Sequence, residues 1–356
     1  MRKKTMLFLI CLAVNAIIFV YEPVTANTEL PANKIKTSVD ESEPTAVEPA
    51  EETIKSVEIE CEISEPNSRE NNFSAEEPDD SNTPEIKEQT AEEHSDSFNI
   101  KFSPIFETYV NEEGMVNYNN LRRRRGEIDN LLRELASLEP EVYKNWPDSE
   151  KIAFWINTYN LKMLDIIISN YPIESTRIHR LFWPPNSIRH IQPRNEVGSV
   201  KWNNYKFIVM DEEFTLFEIE NRFFREKFGD PRVFLALSLA SKDGPPLRNE
   251  AYTGKNLDNQ LEDQAKRFLN KTSGLTIKRD NNQAQISAIF DGSPTWYGNE
   301  FLKYYATDKK FKSHTPLISA VLNFATKYLP SQTVDYLETG NYTVQYKTYD
   351  WGLNEQ

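Results

Sequence analysis

From Phe98 onward, the hydrophobic and polar positions fall into short periodic segments separated by turn-forming residues. Ser103 and Pro104 open a short predicted helix, IFETYV, that stops near Gly114. Leu121, Ile128, Leu131, Leu132, Leu135 and Leu138 recur near helical spacing and predict a helix from about Asn119 to Leu138. The next segment, SEKIAFWINTYNLKMLDIIISNY, is apolar around most of its circumference. It predicts a central buried helix over 148–170, with Asp148 as N-cap and Tyr171 and Pro172 as its end.

The connector RLFWPPNSIRHIQP carries too many prolines for regular structure. VKWNNYKFIVM then reads as a hairpin turning at Asn203 and Asn204, because Asn tolerates left-handed dihedrals. In FTLFEIENRFFREKFG, Thr215 and Glu218 form a capping box, Phe214 and Ile219 a hydrophobic staple, and Gly229 the C′ residue. RVFLALSLAS predicts a buried strand that breaks at Ser241, Lys242 and Asp243, before Gly244, Pro245 and Pro246.

Asn256 is placed to cap a helix bearing Leu257, Leu261, Ala265 and Phe268. A second hairpin spans 274–290, turning through Asp280, Asn281 and Asn282. Helices follow around Glu300 to Tyr305 and from Thr315 to Leu329, and Tyr342, Val344, Tyr346 and Thr348 alternate as a closing strand. This order predicts an α+β fold: one compact domain over 98–356, with several helices packed on a mainly antiparallel sheet.

Composition divides the rest of the chain. Arg2, Lys3 and Lys4 precede the apolar run from Met6 to Val20, and small residues stand at Thr25 and Ala26. This layout predicts a signal peptide over 1–26, cleaved after Ala26, and export to the periplasm or the medium; an uncleaved N-terminal anchor is the alternative. Residues 27–97 hold 21 acidic and 5 basic side chains, with almost no aromatics. Such a stretch buries too little apolar surface to offset its ordering entropy, so a disordered acidic linker is expected, reaching roughly 45 Å. Its net charge of −16 exceeds the −14 of the whole chain, which leaves the folded part near neutral. A nucleic-acid partner is therefore not expected, nor any membrane contact beyond the N-terminal segment if that stays uncleaved.

Cys11 and Cys61 are the only cysteines, so the folded part holds no disulfide, thiolate metal site or cysteine nucleophile. His94, His179, His190 and His314 form no pair at metal-ligand spacing, and neither a metal nor another cofactor is implied. The four arginines from Arg122 to Arg125 surround the helix axis and read as solvated surface. The triplets at Asn72, Asn270 and Asn341 fit glycosylation acceptors, which matter only in a eukaryotic secretory pathway.

Several segments resemble the family catalogued as domain of unknown function 547: AFWINTYN at 153–160, LFEIENRFFR at 216–225, DPRVFLALSLASKDGPPL at 230–247, EAYTGKNLDNQL after it, and YDWGLN at 349–354. The resemblance implies a compact α+β domain with no established general activity, in exported bacterial or multidomain plant proteins. It also implies a histidine where Asn221 stands, another at Phe234, and cysteines at Leu239 and Gly244. A Cys and His set at a strand end suits nucleophilic chemistry. In this chain that set is degenerate.

Candidate catalytic residues are Glu220, Ser241 and Asp243. Ser241 could join His179 or His190 and Glu220 or Asp350 in a triad, and Glu220 with Asp243 could form a carboxylate pair. Candidate ligand-binding residues are Asn157, Tyr159, Asn160, Glu220, Asn221, Arg232, Ser241, Asp350 and Trp351. Asn157 and Asn160 have a plainer reading as ties between helix and loops, and the six tryptophans one as core packing. The reading favoured is a non-catalytic binding domain for an envelope component, glycan or protein. Its alternative is a hydrolase or transferase acting on peptide, peptidoglycan or glycan through carboxylates or Ser241.

Overall fold

The computed structural model describes residues 98–191, 205–306 and 309–356. The expected signal peptide, its cleavage site at Ala26, the acidic linker and the turn at Asn203 and Asn204 lie outside them. The fold is α+β, rich in helices and, among the described residues, with two small sheets. Among the described residues, no helix is long and apolar enough to cross a membrane.

In the N-terminal part, α1 (Ser103–Tyr109) packs on α2 (Tyr118–Arg123), α2 and α3 (Arg125–Ala136) pack on α5 (Asp148–Asn170), and α4 (Pro140–Lys144) meets α5 through Tyr143 and Phe154. The single helix expected over 119–138 is broken at Arg124, whose φ of −107° and ψ of 26° leave the helical region. The break lets Arg125 turn inward to Asp165, 3.2 Å away, so one arginine of the run serves a buried carboxylate. Pro147 rather than Asp148 occupies the N-cap of α5. The apolar circumference of α5 is accounted for by burial: every residue from Ala153 to Ile168 is enclosed, and Lys162 pairs with Asp165 at 2.8 Å.

β1 (Phe207–Val209) and β2 (Glu212–Phe214) form an antiparallel hairpin that turns on Met210 and Asp211, with φ of 51° and 61°. Its turn is fixed from outside, because the Met210 and Asp211 N–H groups donate to the Leu135 and Ala136 carbonyls at the end of α3.

The helix after Thr215 begins with the expected capping box, continues as α6 (Leu216–Ile219), then widens into a π-helix over Glu220–Phe228 and ends on Gly229 at φ 63°. The strand expected over 232–241 is absent. Pro231–Leu235 is a 3₁₀ turn, followed by irregular buried chain. Side-chain amides replace the missing ladder: Asn160 donates to the Ala236 carbonyl at 3.0 Å and accepts from Ser238 N at 2.8 Å, and Gln264 donates to Leu235 and Pro246 carbonyls. An apolar run can be buried without a strand when polar neighbours satisfy its backbone.

Helix α7 (Leu257–Asn270) covers this segment, although the Asn256 side chain makes no cap bond. β3 (Leu275–Lys278) and β4 (Gln283–Ile286) form the second hairpin, closed by Asn282 at φ 47°. α8 (Gly298–Tyr305) and α9 (Pro316–Ala325) pack together; α9 stops short of Leu329, and α10 (Ser331–Glu338), which the pattern did not indicate, follows. β5 (Thr343–Tyr346) closes the second sheet in parallel with β4. Among the described residues, two of the three strand pairs are therefore antiparallel.

Candidate functional site

Glu220 opens the π-helix with its side chain buried. Residues five apart diverge around an α-helix, but the i→i+5 bonding of a π-helix sets them one turn apart. Arg225 accordingly lies 3.9 Å from Glu220 Oε2 and also pairs with Glu300 at the start of α8. From α5, Tyr159 donates its hydroxyl to Glu220 Oε1 at 2.9 Å; from the loop before α8, Tyr297 does so at 3.4 Å.

Burial raises the Glu220 pKa to about 7, against the opposing pull of the Tyr159 hydrogen bond and of Arg225. Burial, reinforced by Glu220, holds the Tyr159 hydroxyl well above its ordinary range; burial also dominates at Tyr297. Both tyrosines therefore remain donors. A carboxyl that exchanges its proton near neutrality can accept or donate a hydrogen bond, or act as an acid or base.

A cavity of about 80 Å³ reaches Glu220 between Phe217, Leu239, Pro294, Thr295, Trp296, Tyr297 and Trp351, with Arg189 and Arg225 on its walls. Its aromatic side is a packed cluster: Tyr349 and Trp351 centroids lie 4.6 Å apart, Trp296 and Tyr349 4.8 Å, and Trp296 and Trp351 5.5 Å. The Arg189 guanidinium lies over both Trp183 and Trp351, 4.4 and 4.9 Å from their centroids.

The loop after Leu239 backs this cluster. Ala240 takes a φ of 47°, rare for a residue with a Cβ, and turns Ser241 so that its Oγ lies 2.6 Å from the Tyr349 hydroxyl. The stretches 241–243 and 350–352 are zipped together: Lys242 N donates to the Gly352 carbonyl, Asp243 N to the Asp350 carbonyl and Asp350 N to Asp243 Oδ2 at 2.8 Å, while Gly352 N donates to Asp350 Oδ1 within the second stretch. Gly244 closes against them, since a Cβ there would stand 2.9 Å from Ser241 Oγ and 3.1 Å from the Tyr349 hydroxyl.

Of the candidate residues read from the sequence, Glu220 and Trp351 line the cavity and Tyr159 bonds Glu220, while Ser241, Asp243 and Asp350 lie in the adjoining zipper. Asn221 is half-exposed on the π-helix. Asn157 bonds Asn99 and the Tyr252 backbone, and Asn160 the 236–238 backbone, so both tie loops to α5. Arg232 is bound instead to Asp230, Asp258 and Glu262; burial pulls its pKa down, but Asp230 and Asp258 together hold it above the ordinary value.

Neither proposed catalytic grouping is assembled by hydrogen bonds. Ser241 Oγ bonds Tyr349, His190 Nε2 bonds the Pro184 carbonyl, and Asp243 bonds the Asp350 backbone. Burial lowers the His190 pKa. Among the described residues, no three His, Cys, Asp or Glu side chains gather as a metal site. Tyr297, Arg225, Glu300 and Tyr349 were not marked by sequence reasoning. Arg225 follows Glu220 by five residues, a spacing that points to the same face only once the π-helix is known.

The positions where the family resemblance implies reactive groups border this site. Leu239 lines the cavity, and Phe234 stacks on Tyr297 at 4.6 Å under the Arg225 guanidinium. Comparisons with curated proteins and with solved structures return no match. Residues 143–269, the stretch that carries α5, Glu220 and the loop through Leu247, match the family model described as Protein of unknown function, DUF547.

Proposed function

We propose that the folded part is a binding domain, exported with the chain, that takes a small polar end group of a larger envelope glycan or peptide into the Glu220 cavity. The observation that carries this reading is the cavity itself: aromatic walls from Trp296 and Trp351 lead to a buried carboxyl. At about 80 Å³ it is well below the roughly 300 Å³ at which pockets enclose whole small molecules, so it suits one group and not an entire ligand. Aromatic rings cover the apolar face of such a group, while Glu220 and the Tyr297 hydroxyl meet its polar end. Leu239 and Phe234 give the site an apolar lining where the resemblance would place a thiol and an imidazole.

A second reading has one specific observation in its favour. A carboxyl held near pH 7 beside two tyrosines is equipped for general acid–base catalysis on the bound group. Saturation-transfer NMR on the full chain, with a panel of saccharides and short peptides, tests the first reading. Ligands bound by the native chain should be lost in Leu239→Phe, which fills the cavity; binding that survives that change unaltered would refute the site. Glu220→Gln separates the readings: it should retain binding under the first, and abolish turnover of the bound ligand under the second.

A further inference from the structure

Among the described residues, three large apolar side chains are exposed within a single turn: Ile178 at 69%, Leu181 at 79% and Phe182 at 55%. We propose that this turn is a membrane-surface contact, seating Ile178, Leu181 and Phe182 among the acyl chains of an anionic bilayer while Arg177 and Arg180 meet its headgroups.

The local order of residues supports that occupant. Arg177, Ile178, His179, Arg180, Leu181, Phe182 and Trp183 interleave cationic and apolar side chains, and Glu174 is the only acid from Tyr171 to Trp183. Interfacial segments combine the same features: apolar groups that enter the acyl boundary, basic groups that reach the headgroups, and a tryptophan at the margin. Arg177 and Arg180 are both exposed.

The turn is also held in shape before any contact. Arg180 N donates to the Thr176 carbonyl, Leu181 N to Ile178, and Phe182 N and Trp183 N to His179. Arg180 Nε bonds Ser175 Oγ at 2.8 Å. Trp183 anchors the end of the turn, packed edge-on against Trp351 at 6.2 Å with Arg189 over its ring.

Area argues against a protein partner for this patch alone. Three side chains offer on the order of a few hundred Å², whereas a stable protein interface takes about 800 Å² from each partner. A bilayer requires only that a few side chains enter it, and the resulting contact is weak and salt-sensitive. Because Trp183 packs on Trp351, such a contact would bring the mouth of the Glu220 cavity close to the membrane surface.

The test uses the full chain with Cys11→Ser, Cys61→Ser and Phe182→Cys, carrying an environment-sensitive fluorophore at position 182. A second chain carries the fluorophore through Asp280→Cys, on the exposed turn between β3 and β4. The second probe controls for vesicle attachment through the apolar N-terminal run. With vesicles of phosphatidylcholine and phosphatidylglycerol, the probe at 182 should shift to the blue and the probe at 280 should not. Salt should weaken the response, and Arg177→Gln with Arg180→Gln should reduce the apparent affinity roughly tenfold or more. Leu181→Ser, a surface change that spares the core, should also weaken it. Three results would overturn the proposal: no shift at 182, an equal shift on phosphatidylcholine alone, or a vesicle-free shift that grows with protein concentration, which would mark self-association.

Discussion

Tyr159 and Glu220 share a buried hydrogen bond of 2.9 Å that joins the central helix α5 to the first residue of the π-helix. Its consequence is a stability that depends on pH in an unusual direction. Burial raises Glu220 from 4.5 to about 7, so the folded chain holds this proton more tightly than the unfolded chain. The group's contribution is full below about pH 4.5 and is lost as pH rises through about 7. The loss is on the order of 3 kcal/mol at most, or roughly 5 °C in Tm for a domain of this size. Glu220→Gln removes the ionisation, so its Tm relative to the native chain should rise between about pH 5 and about pH 8. Thermal unfolding of both chains across that range checks the prediction; a difference independent of pH refutes it.

Asn160 supplies both an acceptor and a donor to buried backbone at Ser238 and Ala236. Asn160→Leu keeps the volume but orphans both groups. Each unsatisfied buried group costs about 1–3 kcal/mol, so a loss of about 3 kcal/mol is expected, read from urea denaturation. A loss below about 1 kcal/mol would mean that the 236–238 backbone finds other partners.

The fit of Gly244 against Ser241 predicts a coupling. Gly244→Ala forces its Cβ toward Ser241 Oγ and the Tyr349 hydroxyl and should destabilise by about 1–3 kcal/mol. Ser241→Ala removes the nearest of these atoms. The double variant should therefore be more stable than the two separate losses add up to, by at least about 0.5 kcal/mol in a double-mutant cycle. Strict additivity would contradict the packing.

At the hairpin turn, Asp211 holds a φ of 61° on an exposed site. Asp211→Gly relieves the left-handed conformation, as in the Asn-Gly turns that hairpins favour, and should stabilise the chain by about 0.5 kcal/mol. Equilibrium unfolding measures it directly, and destabilisation would contradict the turn assigned here.

The limits of the sequence follow from the same residues. Helix α5 was legible because its apolar circumference has one physical solution, burial on all sides, and the start of α6 because Thr215 and Glu218 bond reciprocally. The 232–241 run was misread because hydrophobicity reports burial, not backbone pairing; the amides that satisfy it come from Asn160 and Gln264, distant in sequence. The π-helix had no local signal, which hid the approach of Arg225 to Glu220. Glu220, Tyr159 and Trp351 are legible in the sequence as binding candidates, whereas Tyr297 and Tyr349 enter through long-range packing that no spacing rule conveys.

The measurement that bears most directly on the account is a carboxyl ¹³C NMR titration of Glu220 in the full chain, run alone and with a ligand from the saccharide and peptide panel. The account predicts a midpoint near 7 that moves when the ligand occupies the cavity. A Glu220 that titrates near 4.5, or whose midpoint is indifferent to every ligand that binds, would contradict it.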